Sequence, residues 1–326
     1  MKAVIVDSPL GAFQSIDTPK PAPAPGEVLV KIAASAVNPL DTKIRAGAAA
    51  HARHPFPAIL GIDMAGVIEA VGAEVDGFQP GDEVFGMTGG VGGVQGSLAE
   101  YAAVDARLLA RKPANLSMRE AAALPLIVIT AWEGLVDRAR IGAGETVLIH
   151  GGAGGVGHVA VQIAKAFDAR VFATGKAADA DYIRALGATS IDYKTSSVDD
   201  YVAQHTGGEG FDLIYDTVGG ATLDASFAAV KRFGHVVSCL GWGTHALAPL
   251  SFKAATYSGV FTLLPLLTGI GRERHGEILT QAARLIEQGK LAPRLDPRPF
   301  TLDSLDEAHA IVAEGRGQGK VVVSID

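Results

Sequence analysis

A single cysteine, Cys239, stands in 326 residues. No internal disulfide can form, and no zinc site that needs two or more thiolates can be built. Such a chain suits a reducing interior, and the expected location is cytoplasmic. Positive charge is also short: 28 Lys and Arg against 35 Asp and Glu leave a formal charge of −7. That balance offers no basic footprint for a phosphate backbone or an anionic membrane, so neither nucleic acid nor membrane is expected as a partner. The longest apolar run, residues 259–271, falls well short of the roughly 20 residues of a spanning helix. It reads instead as a buried or interface segment. The opening Met1-Lys2-Ala3-Val4-Ile5-Val6 has no long apolar stretch with a small-residue cleavage site, and reads as a first strand rather than a signal peptide.

What the chain does have is core: 48% of residues are hydrophobic and only 19% charged, in a length that predicts about two domains. Up to about residue 115, short β-rich runs such as Val28-Leu29-Val30-Lys31-Ile32 and Met64-Ala65-Gly66-Val67-Ile68 alternate with Gly, Pro and Asp, the pattern of a small barrel or sandwich. The proline-rich stretch 19–25 reads as a surface connection. After Ser117, a predicted N-cap, strands at 146–150, 170–174, 190–193, 213–216 and 235–240 alternate with helices at 156–167, 179–186 and 223–230. This is the grammar of a parallel sheet. Past residue 262 come helices at 277–288 and 305–314 and an apolar strand at 320–325, a tail that looks like a return to the first domain.

The sharpest local signal is Thr146-Val147-Leu148-Ile149-His150-Gly151-Gly152-Ala153-Gly154-Gly155-Val156-Gly157. Gly152, Gly154 and Gly157 satisfy G-x-G-x-x-G between a strand and a helix, where glycine permits the tight turn and lets a pyrophosphate approach the helix N-terminal amides. A dinucleotide is therefore expected. An acidic residue at the end of the next strand would hold a ribose 2′-hydroxyl. That strand ends Ala173-Thr174-Gly175-Lys176 without one, and Lys176 and Tyr193 are candidates to meet a 2′-phosphate, so NADP(H) is favoured over NAD.

Five segments together resemble the medium-chain dehydrogenase/reductase superfamily, and within it the zinc-independent quinone oxidoreductase group. They are Ala36-Val37-Asn38-Pro39-Leu40-Asp41-Thr42-Lys43, Gly61-Ile62-Asp63-Met64-Ala65-Gly66-Val67, Gly77-Phe78-Gln79-Pro80-Gly81-Asp82-Glu83-Val84, Ala153-Gly154-Gly155-Val156-Gly157 and Asp216-Thr217-Val218-Gly219-Gly220. The resemblance implies an α/β protein: a GroES-like β-barrel catalytic domain of residues 1–120 and 263–326, and a Rossmann NADP-binding domain, a doubly wound parallel sheet, of residues 121–262. It further implies an active site in the cleft between the domains and a homodimer, for which residues 260–264 suit an edge strand.

Zinc-dependent members carry a Cys in the first motif and a Gly-His-Glu in the second. Here those Cys and His positions hold Asn38 and Ile62, and Ile has no lone pair to donate. No catalytic or structural zinc is expected, and His51 and His54 read as a polar active-site loop rather than a metal pair. The resemblance places Asn38 at the nicotinamide or substrate carbonyl as a neutral donor, Asp41 in support of the same loop, and Asp63 either orienting the site or capping a turn. It places Thr130 near the nicotinamide, and Gly152, Gly154, Gly155, Val156, Gly157, Thr174, Gly175, Lys176, Tyr193, Leu240 and Gly241 around the cofactor. Trp242 reads as lining the same side, and Cys239 as a small buried residue. Without a Lewis acid the easier chemistry is hydride delivery to an electron-poor acceptor, a quinone or an α,β-unsaturated carbonyl. A tyrosine usual in the quinone reductases is replaced by Lys43, which leaves the proton donor open and keeps a non-catalytic NADPH-binding sensor as the contrasting reading.

Overall fold

The computed structural model describes residues 1–325. Its contacts divide the chain into two compact units, one made of Met1–Leu126 with Leu263–Asp326 and the other of Ile127–Thr262.

The first unit is organised by one long strand, Glu27–Val37. It pairs antiparallel with Asp63–Val71, with Tyr101–Asp105 at its start and with the C-terminal strand Val321–Ser324 at its end. Glu83–Met87 and Leu109–Arg111 extend the sheet on one side and Phe300–Thr301 on the other. The long strand cannot stay flat, because its register against Asp63–Val71 shifts twice, the second time between Ile32 and Ala34. An extra residue there bends the strand and raises its twist. Gly66 faces this irregularity, where a Cβ would come within 2.2 Å of the Lys31 carbonyl oxygen. Val28, Val30, Ile32, Met64, Ile68 and Val84 fill the interior, each such side chain contributing about 1.5–3 kcal/mol on burial. Beyond the bend, Ala36 lies opposite Asp63 and Val37 opposite Val321. The chain then passes through Asn38 into the helix Pro39–Arg45, with proline at the first turn where its missing N–H costs nothing.

The second unit is a six-stranded, wholly parallel sheet in the spatial order Thr189–Asp192, Arg170–Gly175, Thr146–His150, Phe211–Asp216, Val230–Ser238, Thr256–Gly259. Numbered within the unit this is 3-2-1-4-5-6, the doubly wound order in which ligands bind beyond the carboxyl ends of the strands. Leu148, Phe172, Phe211, Ile214, Phe227 and Val236 pack between one face of the sheet and its helices.

Some element boundaries differ from the sequence reading. The strand expected at 235–240 spans Val230–Ser238, so Cys239 lies just past it and is half-buried rather than buried. Residues 260–264 are not an edge strand. The sheet edge is Thr256–Gly259, and Pro265 then nucleates the helix Leu264–Thr268. The helix expected from 277 begins at Arg272, its first turn Arg-Glu-Arg-His being too polar to show an apolar period. Among the described residues no helix is long and apolar enough to cross a membrane.

Candidate functional site

The expected catalytic residues converge inside the first unit. Asn38 holds an extended conformation ahead of Pro39 (φ −108°, ψ 156°), as the residue before proline prefers. Its backbone N–H donates to Asp41 Oδ2 at 2.8 Å, so Asp41 braces the turn that carries it. Asn38 Nδ2 donates to Asp63 Oδ2 at 2.9 Å, and the Leu126 N–H donates to Asp63 Oδ1 at 2.8 Å. Asp63 therefore holds the Asn38 amide by one carboxylate oxygen and the first turn of the helix Pro125–Trp132 by the other. The Asp63 carbonyl accepts from Ser97 Oγ at 3.0 Å, and Ser97 Oγ meets Ser35 Oγ at 2.7 Å. Asn38, Asp41 and Asp63 are all buried.

Sequence reasoning missed the fourth member, Lys320. Its Nζ donates to Asn38 Oδ1 and lies 3.9 Å from Asp63 Oδ2. Burial lowers the Lys320 ammonium pKa against the pull of Asp63 and Asp41. Burial likewise pushes the Asp63 carboxyl up to about 6, offset in part by Lys320, and the Asp41 carboxyl up to about 7. Asp41 Oδ1 is buried with no hydrogen-bond partner, which fits a carboxyl that holds its proton.

The direction of that shift has a measurable consequence. Asp41 ionises near pH 4 in an unfolded chain but near pH 7 in the fold, so its contribution to stability is complete below the lower value and is lost as pH rises through the higher one. Asp41→Asn, neutral throughout, is expected to gain thermal midpoint relative to the native protein between pH 5 and pH 8. Melting curves at the two pH values check this, and a difference that does not change with pH refutes it.

The expected cofactor residues assemble in the second unit around the strand Thr146–His150. The helix Gly155–Ala166 follows Gly154 as N-cap without a side-chain cap. Among the described residues the N–H groups of Gly155, Val156 and Gly157 have no acceptor. Three free amides and the positive end of a helix dipole form an anion site. The glycines make it possible: a Cβ on Gly157 would stand 2.0 Å from the Gly151 carbonyl oxygen, and one on Gly152 2.5 Å from Ala173 Cβ. Thr174 Oγ1 accepts from the Gly151 N–H at 3.2 Å and faces His150 Nδ1 at 3.1 Å, holding the loop from beneath. Burial keeps His150 neutral, with its pKa near 4. The loop residues thus fit a dinucleotide diphosphate.

Gly175 closes the strand Arg170–Gly175, where a Cβ would meet Ile183 Cδ1 at 2.6 Å. Its carbonyl accepts the Tyr193 N–H at 3.3 Å, so Lys176 and Tyr193, both exposed, flank one strand end. Asp179, which sequence reading passed over, accepts the Lys176 N–H at 3.4 Å. Leu240 and Gly241 follow the strand Val230–Ser238. The Leu240 N–H donates to Ser238 Oγ, which in turn donates to Asp216 Oδ2. Thr130 is buried and paired with Thr262 at 3.1 Å, and its carbonyl accepts from the Tyr215 hydroxyl at 2.6 Å. Trp242 is exposed and stacks edge-on against Phe261. Desolvation pushes the Cys239 thiol up to about 12, so it is no nucleophile.

Zinc does not fit. Ile62, fully buried, fills the position where a zinc enzyme has histidine, and among the described residues no three His, Cys, Asp or Glu side chains group to hold a metal. His54 Nδ1 accepts the Gly93 N–H at 3.2 Å, and His51 sits in the short helix Ala50–Ala52.

Comparison with known proteins agrees in outline. An alcohol dehydrogenase GroES-like domain model matches residues 24–114, and a zinc-binding dehydrogenase model matches residues 186–323. A 2-methylene-furan-3-one reductase from Solanum lycopersicum is 38% identical over 91% of this chain and 71% of its own. An NADPH-dependent alkenal/one oxidoreductase, chloroplastic, from Arabidopsis thaliana is 34% identical over 91% of this chain and 72% of its own. The solved structure of an alcohol dehydrogenase superfamily protein from Novosphingobium aromaticivorans is 60% identical, covers all of both chains and superposes with a TM-score of 0.98.

Proposed function

The chain belongs to the medium-chain dehydrogenase/reductase superfamily, in its zinc-independent quinone oxidoreductase-like group, and from that premise we propose that it is an NADPH-dependent reductase of α,β-unsaturated carbonyl compounds. The observation that carries the dinucleotide part of this reading is the cradle of free amides at Gly155, Val156 and Gly157. The absence of an acidic residue at Gly175, with Lys176 and Tyr193 beside it, supports NADPH over NADH. The names of the tomato and Arabidopsis relatives support an enone or alkenal as acceptor. Quinone reduction is the second reading, supported by the group to which the chain belongs.

NADPH, when bound, supplies the hydride. Addition at the β-carbon leaves the electron pair on the carbonyl oxygen as an enolate, and a proton from water or a protein group then completes the α-carbon. The protein's part is to donate a hydrogen bond to the oxygen that becomes anionic, a contribution stronger in the transition state than in the ground state. Asn38 is our candidate donor, since its amide carries two hydrogens and the bond to Asp63 commits only one of them. No step needs a Lewis acid. The single cysteine supports a cytoplasmic, reducing location, and the exposed edge strand Thr256–Gly259 supports a second copy of the chain as partner.

The test is oxidation of NADPH and of NADH by metal-stripped protein with one medium-chain enone and one ortho-quinone. Turnover of the enone is expected, with kcat/KM for NADPH at least about tenfold above NADH, some 1.4 kcal/mol. Turnover of the quinone alone moves the assignment to the second reading, and NADPH binding without any turnover replaces both with a sensor.

A further inference from the structure

Lys320 stands just before the strand Val321–Ser324, in which Val321 faces Val37 in an antiparallel ladder, so residue 320 arrives beside Asn38. Its backbone is clamped on both sides. The Lys320 N–H donates to the Arg294 carbonyl at 2.7 Å, and the Lys320 carbonyl accepts the Asp296 N–H at 2.9 Å. Asp296 is itself held by Arg298 at 2.6 Å and by the Gln318 N–H at 2.9 Å. The side chain has one place to go, and it is buried there with 6% exposure.

A primary amide has nearly the same shape in its two flipped orientations and opposite polarity. Lysine only donates and an ionised aspartate only accepts. With Lys320 on one side and Asp63 on the other, a single orientation of Asn38 survives, oxygen toward Lys320 and nitrogen toward Asp63. The flipped amide would turn N–H toward the ammonium and oxygen toward the carboxylate, losing two charge-assisted hydrogen bonds at once. We propose that Lys320 is a positioning residue, which locks the Asn38 amide so that its remaining N–H serves as the donor to the acceptor oxygen. The inference rests on the reading of Asn38 given above.

A structural role alone is a poor account of this lysine. Burying an ammonium costs several kcal/mol, and an apolar side chain of similar volume often stabilises such a position. The charge also sets the state of its neighbours. Lys320 and Asp41 are the charged groups acting on the cluster around Asp63. The other elements packed there present Ser35, Ser97, Met87 and the Leu126 N–H, none of which titrates in the working range. Without the ammonium, Asp63 holds its proton to higher pH and stops accepting from Asn38 Nδ2 as an anion.

The experiment compares Lys320→Met, Lys320→Gln, Lys320→Arg and Asn38→Ala by kcat and KM for the enone, NADPH affinity, thermal midpoint and the pH profile of kcat/KM. Lys320→Met is expected to lower kcat roughly 100-fold, as loss of an oxyanion donor does, with acceptor KM and NADPH affinity within about threefold. The acid limb of its profile should move upward from the native position near pH 6. Lys320→Arg, which keeps charge and donors, should recover most of kcat and return the limb. Where Lys320→Met does not fold, Lys320→Gln carries the comparison, because it keeps a hydrogen-bond donor and removes the charge. A kcat for Lys320→Met or Lys320→Gln within about twofold of native, or a loss that arginine does not restore and that leaves the limb in place, overturns the proposal. If Asn38→Ala keeps native kcat, the reading of Asn38 fails and this inference with it. If Asn38→Ala is crippled while the Lys320 variants are not, only the positioning role is lost.

Discussion

Asp63→Ala is expected to lower the free energy of unfolding by about 3–5 kcal/mol, the usual cost of removing one partner of a buried ion pair. Asp63 is fully buried and accepts from Asn38 Nδ2 and the Leu126 N–H, with Lys320 Nζ 3.9 Å away. Alanine leaves an ammonium without its counter-charge and two buried donors without acceptors, each such donor costing about 1–3 kcal/mol. Asp63→Asn keeps the shape and one acceptor oxygen, so it should fall between native and alanine. The deficit carries a pH signature. In the alanine variant Lys320 has a folded pKa further below its unfolded value, so the unfolded chain binds the extra proton and stability rises with pH. The gap to native should therefore narrow between pH 7 and pH 10. Urea unfolding at both pH values measures it, and a loss under about 1 kcal/mol at pH 7 would mean that water reaches Lys320 and the cluster is not sealed.

Gly157→Val should reduce NADPH affinity at least about 100-fold, close to 3 kcal/mol, while Gly155→Ala stays within about threefold of native. Both residues belong to the same motif, yet their surroundings differ. A Cβ at 157 would lie 2.0 Å from the Gly151 carbonyl oxygen and 3.1 Å from Gly152 Cα, backbone atoms of a turn already held with Gly151 at φ +73°. The loop must open, and the free amides of the first helical turn move with it. At 155 the nearest atom is Ile127 Cγ2 at 3.7 Å, an ordinary contact. Titration of each folded variant with NADPH separates the cases. Equal losses at both positions would remove steric closure as the reason for the glycines.

The contrast between these sites shows what was legible in the sequence. The parallel sheet was readable because strand, glycine loop and helix follow one another within about thirty residues, and local order carries the message. Asn38, Asp41 and Asp63 each lie in a short motif, and the fold brings their backbones together through the pairing of Ala36 with Asp63. Lys320 was not found. Its neighbours Gly319 and Val321 read as the start of an ordinary strand, lysine is seldom buried, and its partner Asn38 is 282 residues away. Asp179, which accepts the Lys176 N–H, lies beyond the strand end and outside the glycine-loop motif. The edge strand Thr256–Gly259 escaped for another reason: Thr-Tyr-Ser-Gly has little apolar content, whereas the more apolar residues after it turn inward at Val260 and Leu263 and enter a helix at Leu264.

That separation of Asn38 from Lys320 also orders events during synthesis. Ile127–Thr262 is one continuous stretch and has all of its own strands once residue 262 has left the ribosome. The unit that carries Asn38 does not. At about 5–20 residues per second, the strand Glu27–Val37 waits some tens of seconds for Val321–Ser324, with one end of a hydrogen-bonding edge unpaired. An open edge of that kind is a template for pairing with another chain. The nascent protein thus remains open to misassembly even after its nucleotide-binding half has formed, until residue 320 reaches residue 38.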